Sequence, residues 1–311
     1  MPTLLDFRRR IRSVKNTQQI TRAMKFVAAA RLRRAQEKVL AARPYARQIA
    51  RVLGSAMARV ENPVHPLMAR RPEQRALLLM LTGDRGLCGA FNANVIRRTL
   101  ELLRERSQQK IELIAIGKKG RDALRKRNRS FVAEYINVTT RVEYPQAKDI
   151  AQKVIELYSS GETDAVYAVY NEFKNVMTQK LTVEKLLPIE PESFQPEAAE
   201  KAHLEGAGGP AKGPGGELAN EPLGFQVDYI YEQPLEEIFN RLLPRHVETQ
   251  IFRAMLESSA AEHAARMTAM DSATNNAIEL IDQITLHMNK VRQAAITKEI
   301  IEVVSGAAST A

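Results

Sequence analysis

Gly83, Gly86 and Gly89, evenly spaced within Thr82–Asn92 (TGDRGLCGAFN), are the residues of this 311-residue chain best placed to hold a ligand. Backbone N–H groups in a glycine-rich turn between a strand and a helix can cradle a phosphate. The pattern is not G-x-G-x-x-G, however, and no Gly-Lys-Ser/Thr follows it. Gly117-Lys118-Lys119-Gly120 also lacks the P-loop spacing. A tight turn at the sheet's edge is the simpler reading of these glycines. His65, His203, His246, His263 and His287 include no pair three or four residues apart, and Cys88 is the only cysteine. Metal-ligand spacing and an intrachain disulfide are therefore both missing, and a lone cysteine fits a reducing compartment. The adjacent Glu236 and Glu237 read as helix-start charges rather than an acid/base pair. No catalytic residue, cofactor site or metal ligand is assigned.

What the chain has in quantity is positive charge at one end. The formal net charge is +10, and residues 1–60 hold 15 Lys and Arg against only Asp6 and Glu37, which leaves −3 for the rest. Such a segment seeks an acidic or polyanionic partner. Its only aromatics are Phe7, Phe26 and Tyr45. An electrostatic fit inside a protein sleeve therefore suits it better than base stacking on nucleic acid, with a solvated face as the plain alternative. No stretch approaches the ~20 apolar residues of a membrane span. The N-terminus lacks an apolar signal core.

The elements that must position these groups follow from periodicity. Thr3–Asp6 reads as a capping box. From there Ile11, Val14, Gln18, Thr21, Lys25, Ala28, Leu32, Ala35, Val39 and Ala42 alternate at steps of three and four, a heptad seam. Pro44 should kink or locally unwind this helix. Residues 61–72 read as a linker. Strands are expected at 76–82, 111–117, 131–136, 165–172 and 176–187, and helices at 93–106, 118–126 and 146–159, an α/β pattern with a mostly parallel sheet. Five prolines and six glycines in residues 191–222 mark a mobile insertion, and residues 225–232 read as one more strand. Pro234 suits the first turn of a last helix, which Pro244 should kink or split and Gly306 should cap. In that helix Met267, Met270, Thr274, Ala277, Ile281, Ile284, Met288, Val291 and Ala295 form a second seam. At 1.5 Å per residue the two helices would reach ~85 and ~90 Å. The fold expected is α/β: a long antiparallel coiled coil of N- and C-terminal helices with an inserted Rossmann-like α/β domain. Its parts are residues 1–60, 75–235 and 236–311, with both termini projecting away from the inserted domain.

Ile11–Ala30, Leu81–Asn92 and Arg266–Gly306 (RMTAMDSATNNAIELIDQITLHMNKVRQAAITKEIIEVVSG) carry a resemblance to the gamma-subunit family of F-type ATP synthases, which extends over nearly the whole chain. The resemblance implies a non-catalytic rotor shaft, one copy standing in a ring of three alpha and three beta subunits. Its foot would rest on the membrane-embedded ring of c subunits beside epsilon, and proton flow would turn it. It implies contacts of Met24, Lys25, Arg292 and Gln293 with beta, contacts of Tyr229, Tyr231 and Glu232 with the c ring and epsilon, and a tip at 296–311 seated in a bearing. Residues 191–222 look like an insertion the family does not require. The family's chloroplast cysteine pair is absent and the match begins near Met1, which favours a bacterial protein on the cytoplasmic face of the plasma membrane, without nucleic acid as partner. Two rivals stay open: a nucleic-acid-binding coiled coil with an α/β head, and a small α/β enzyme using Gly83–Gly89.

Overall fold

A computed structural model describes residues 3–60, 65–190, 194 and 233–308. In chain order the elements are α1 (Leu4–Met57), a 3-10 turn at Pro66–Met68, β1 (Arg75–Leu81), α2 (Phe91–Glu105), β2 (Lys110–Ile116), α3 (Lys118–Arg125), β3 (Ala133–Tyr135), α4 (Tyr144–Ser159), β4 (Ala165–Phe173), β5 (Gln179–Leu187) and α5 (Leu235–Ala308). The strands and helices expected between 75 and 187 are all present, with ends displaced by at most three residues. The strand expected at 225–232 and the insertion at 191–222, Phe194 apart, lie outside the described residues. The chain divides into two compact units, Met1–Ala29 with Arg266–Ala311, and Ala30–Ala265.

α1 starts where the capping box places it. The Thr3 N–H and hydroxyl donate to Asp6 Oδ2 at 2.9 and 2.8 Å, and the Asp6 N–H returns a bond to Thr3 Oγ1 at 3.3 Å. Every seam position from Ile11 to Ala42 is buried or half-buried. Of the two outcomes expected at each proline, unwinding of α1 at Pro44 and a split of α5 at Pro244 do not occur, both helices running on through them. A proline removes one backbone hydrogen bond and crowds the carbonyl four residues back, at about 3 kcal/mol. The packed turns on both sides offset that local loss. α5 also runs through Gly306 to Ala308, so Gly306 is a helical residue and not the stop.

In the larger unit the sheet order is β3-β2-β1-β4-β5, parallel except for the antiparallel β4–β5 pair. β1 is thus central, and the glycine turn after it lies over the middle of the sheet rather than at its edge. β1 is apolar on both faces (Ala76–Leu81 all buried), as a covered parallel strand must be. One face of the sheet packs Leu78, Met80, Leu113 and Ala115 against Val95 and Leu102 of α2 and Leu124 of α3. The chain steps outward from β1 to β3 and returns through α4 to β4, so right-handed crossovers place α4 on the other face, where Ala147, Ile150, Ala151 and Val154 are buried.

Candidate functional site

The carboxyl end of β1, beside the point where strand order reverses, is where a doubly wound sheet usually takes a ligand. Here the chain fills it with its own groups. Asp84 is buried, and its carboxylate accepts from the N–H groups of Lys118 (3.0 Å), Asn137 (2.9 Å) and Thr139 (3.1 Å) and from the Thr139 hydroxyl (2.6 Å). The carboxylate therefore sits at the N-terminus of α3, the place a bound phosphate would take. Four neighbouring donors are also engaged. Gly83 N–H donates to Asn92 Oδ1 (2.8 Å), Asp84 N–H to Thr139 Oγ1 (3.1 Å), Lys119 N–H to the Gly83 carbonyl (3.1 Å) and Gly120 N–H to Thr82 Oγ1 (2.9 Å). Gly83 leaves room for the Glu262 carboxylate of α5, whose carboxyl carbon a Cβ at this position would approach to 2.7 Å.

α5 occupies the rest of this crevice. Ala261 packs with Cys88 and Phe91, flanked by Phe173 and Ala265. The Ser259 hydroxyl donates to the Thr139 carbonyl at 3.4 Å. The sheet's ligand crevice thus serves as a socket for one stretch of α5. On the α4 side, Tyr144 donates to Glu248 at 2.5 Å and meets Phe252 edge-on at 5.6 Å. A cavity of about 320 Å³ there is lined by Ala42, Tyr45, Tyr144, Arg245, Thr249 and Phe252. Among the described residues no cluster of three potential metal-ligating side chains occurs.

In the smaller unit α1 and α5 pair in opposite directions. Phe7 meets His287 edge-on at 5.2 Å, Thr21 Oγ1 lies 2.8 Å from Thr274 Oγ1, and Lys25 Nζ lies 2.5 Å from Asp271 Oδ1. Each advance along α1 is matched by a nearly equal retreat along α5, the signature of an antiparallel coil. Three of the polar seam positions are therefore partnered across the helix pair: Thr21 and Thr274 are both buried and bonded to each other, and Lys25 has its counter-ion. The Thr274 hydroxyl also has the Met270 carbonyl at 2.7 Å, one turn back. Replacing only Thr21 with Val leaves a buried oxygen short of a partner, an expected loss of about 1 kcal/mol; replacing both threonines with Val should be nearly neutral. A double-mutant cycle of thermal unfolding checks this.

Met24 is half-buried beside this polar layer. Ile20, Phe26 and Val27 are 60%, 62% and 53% exposed on the same arm. They were not singled out from the sequence, although apolar residues off a heptad seam are the available signal of a second contact surface. Arg292 and Gln293 are exposed, just past the level where Phe7 meets His287. Beyond them Ile296, Ile300, Ile301, Val303 and Val304 are exposed large apolar side chains on α5. Tyr229, Tyr231 and Glu232 lie outside the described residues.

The family model described as ATP synthase matches residues 3–310. The chain is 51% identical to the ATP synthase gamma chain of Solibacter usitatus over 99% of each chain, and 45% identical to that of Pelotomaculum thermopropionicum over the same shares. Its fold is similar to a chain in the OSCP/F1/c-ring structure of Euglena gracilis mitochondrial ATP synthase, with a TM-score of 0.62, 22% identity, and 99% of this chain and 94% of that one covered. A chain in the central stalk/c-ring structure of the Tetrahymena thermophila enzyme gives a TM-score of 0.56 at 23% identity, covering 82% and 99%.

Proposed function

Since the chain belongs to the gamma-chain family of ATP synthases, we propose that it is the central rotor shaft of an F-type enzyme, carrying torque between a membrane ring of c subunits and the catalytic beta subunits. It is a non-catalytic subunit of that complex, and its glycine-rich turns are occupied by its own side chains. The observation that carries the reading is the antiparallel pairing of α1 with α5 over a seam narrow enough to include Thr21, Thr274 and Ala277, while basic and apolar side chains are left on the outside.

Such a pair transmits force by unequal contact. A coil of two different helices presents a different face to each of its surrounding subunits, and each face biases its neighbour's conformational equilibrium by the difference in contact energy. We assign Met24, Lys25, Arg292 and Gln293 to contacts with beta, and Tyr229, Tyr231 and Glu232 to the c ring and epsilon. One shaft serves three alpha and three beta subunits. Residues 1–60 and 236–311 act as its arms and 75–235 as its globular domain. No helix among the described residues is long and apolar enough to cross a membrane, and the chain is held at the membrane through the complex. The likeness to bacterial gamma chains supports placing it on the cytoplasmic face of the plasma membrane.

Reconstitution separates this reading from its rivals. Mixed with alpha and beta subunits, the full chain should yield a complex of three alpha, three beta and one shaft with ATPase activity. Failure to assemble would count against the shaft. Salt-sensitive binding of the chain to DNA or RNA, or tight nucleotide binding by residues 75–235, would favour the alternatives.

A further inference from the structure

The cavity beside Tyr144 serves neither the socket nor the helix pair. It lies within the larger unit, where α1, α5 and the start of α4 meet. Its volume of about 320 Å³ falls within the ~300–1,000 Å³ of small-molecule sites. A second cavity of about 400 Å³ shares Ala42, Tyr144 and Phe252 with it and adds Lys38 and Glu143, so the two adjoin as one groove. On the α1 side Ala41 and Ala42 offer only methyl groups, which leaves the space open.

The aromatic walls of the groove are fixed in advance. The Tyr144 hydroxyl donates to Glu248 at 2.5 Å, and the Phe252 ring stands at 82° to that of Tyr144. The turn carrying Tyr144 is held by the capping box of Glu143 and Gln146 at the start of α4. Tyr45 adds a third ring and is 49% exposed, so the groove opens to solvent. A flat ring laid against one of these faces meets the edge of another, an arrangement that aromatic groups favour.

Charge selects the rest of the ligand. Lys38 is committed to the Val142 carbonyl at 3.0 Å. Of the acids here, Glu248 is bound to Tyr144, and Glu143 pairs with Arg141 at 2.7 Å. The exposed Arg245 lines the cavity and forms no ion pair among the described residues. One uncommitted guanidinium matches one carboxylate or sulfonate, held by two parallel hydrogen bonds. A polyphosphate would need more cations than the groove has to spare.

We propose that this groove binds a small planar aromatic anion, its ring against Tyr45, Tyr144 and Phe252 and its acid group on Arg245. Such a ligand touches α1, α4 and α5 at once and so ties both long helices to the sheet domain. The site belongs to the larger unit and does not depend on the partners proposed above.

The test is equilibrium dialysis of naphthalenesulfonate against the full chain, up to millimolar probe. Binding should saturate at one molecule per chain. Arg245→Gln should weaken it about tenfold, the loss of one charge-assisted contact. Arg241→Gln, an exposed position one turn earlier on α5 that does not line the groove, should leave it unchanged. Neutral naphthalenemethanol should bind wild type about tenfold more weakly than the sulfonate and be indifferent to Arg245→Gln. Ala42→Phe fills the space and should abolish saturable binding. If Ala42→Phe fails to fold, the exposed Arg245→Gln decides alone. No saturable binding, equal affinity in wild type and Arg245→Gln, or equal weakening by Arg241→Gln would overturn the site, as would undiminished binding to folded Ala42→Phe.

Discussion

Gly117→Ala should unfold the globular part of this protein more readily than any other single methyl addition among its described glycines, with a loss of about 4 kcal/mol. Two effects combine there. Gly117 sits at φ 97° and ψ 144°, a region that an L side chain enters only at a cost of about 1–3 kcal/mol. An added Cβ would also fall 1.9 Å from the Thr82 carbonyl oxygen, so backbone must move. That backbone is the point where β1 and β2 end together. Thr82 N–H donates to the Ile116 carbonyl at 2.8 Å, and Gly117 N–H donates to the Tyr135 carbonyl at 2.8 Å. Shifting either carries α3 with it and disturbs the Lys118 N–H bond to Asp84. Gly86→Ala is the control, because a Cβ there meets only the Lys119 side chain at an ordinary 3.7 Å. Its expected cost is below about 1 kcal/mol. Denaturant unfolding of both variants checks the pair, and a Gly117→Ala protein as stable as wild type would mean the two strand ends are not held as described.

The contrast between these two glycines shows what one sequence can disclose. Gly83, Gly86 and Gly89 were visible as a turn, because glycine spacing between an apolar run and a helix is local information. What fills the turn was not visible. Asp84 is joined to Thr139 across 55 residues of chain, and Glu262 reaches Gly83 from a helix far along the sequence. Neither distance leaves a trace in periodicity. The two heptad seams were legible residue by residue, since a buried stripe repeats at the helical period. Their mutual register was not, because each seam is periodic on its own and the pairing of Thr21 with Thr274, or of Lys25 with Asp271, depends on both. Asp271 lies off the predicted α5 seam, so the two seams alone did not reveal its pairing with Lys25. That neither proline breaks its helix has a related reason. Their local penalty is a property of the residue, whereas the packing that offsets it comes from remote chain.

A second large effect is expected on the outer surface of the helix pair. Arg8, Arg9, Arg12 and Arg22 are exposed and none belongs to the seam, so changing all four to Glu should leave helix content and the α1–α5 pairing intact. Assembly with the alpha and beta subunits, or coupled synthesis once assembled, should nevertheless fall steeply. An exposed ion pair contributes roughly 0.5 kcal/mol, and reversal replaces an attraction with a repulsion of similar size. Four reversals against an acidic sleeve then amount to about 4 kcal/mol, close to a thousandfold in an equilibrium constant. Changing the same four to Gln should produce about half of that free-energy loss. Salt separates this cause from damage to the fold, because screening lengths shrink from about 10 Å at 0.1 M to about 3 Å at 1 M. The defect of the Glu variant should diminish as ionic strength rises, while a packing defect would persist. Unimpaired assembly and synthesis in the Glu variant would show that the +13 segment is a solvated face and that the shaft is held by its apolar contacts, such as Ile20, Phe26 and Val27, instead.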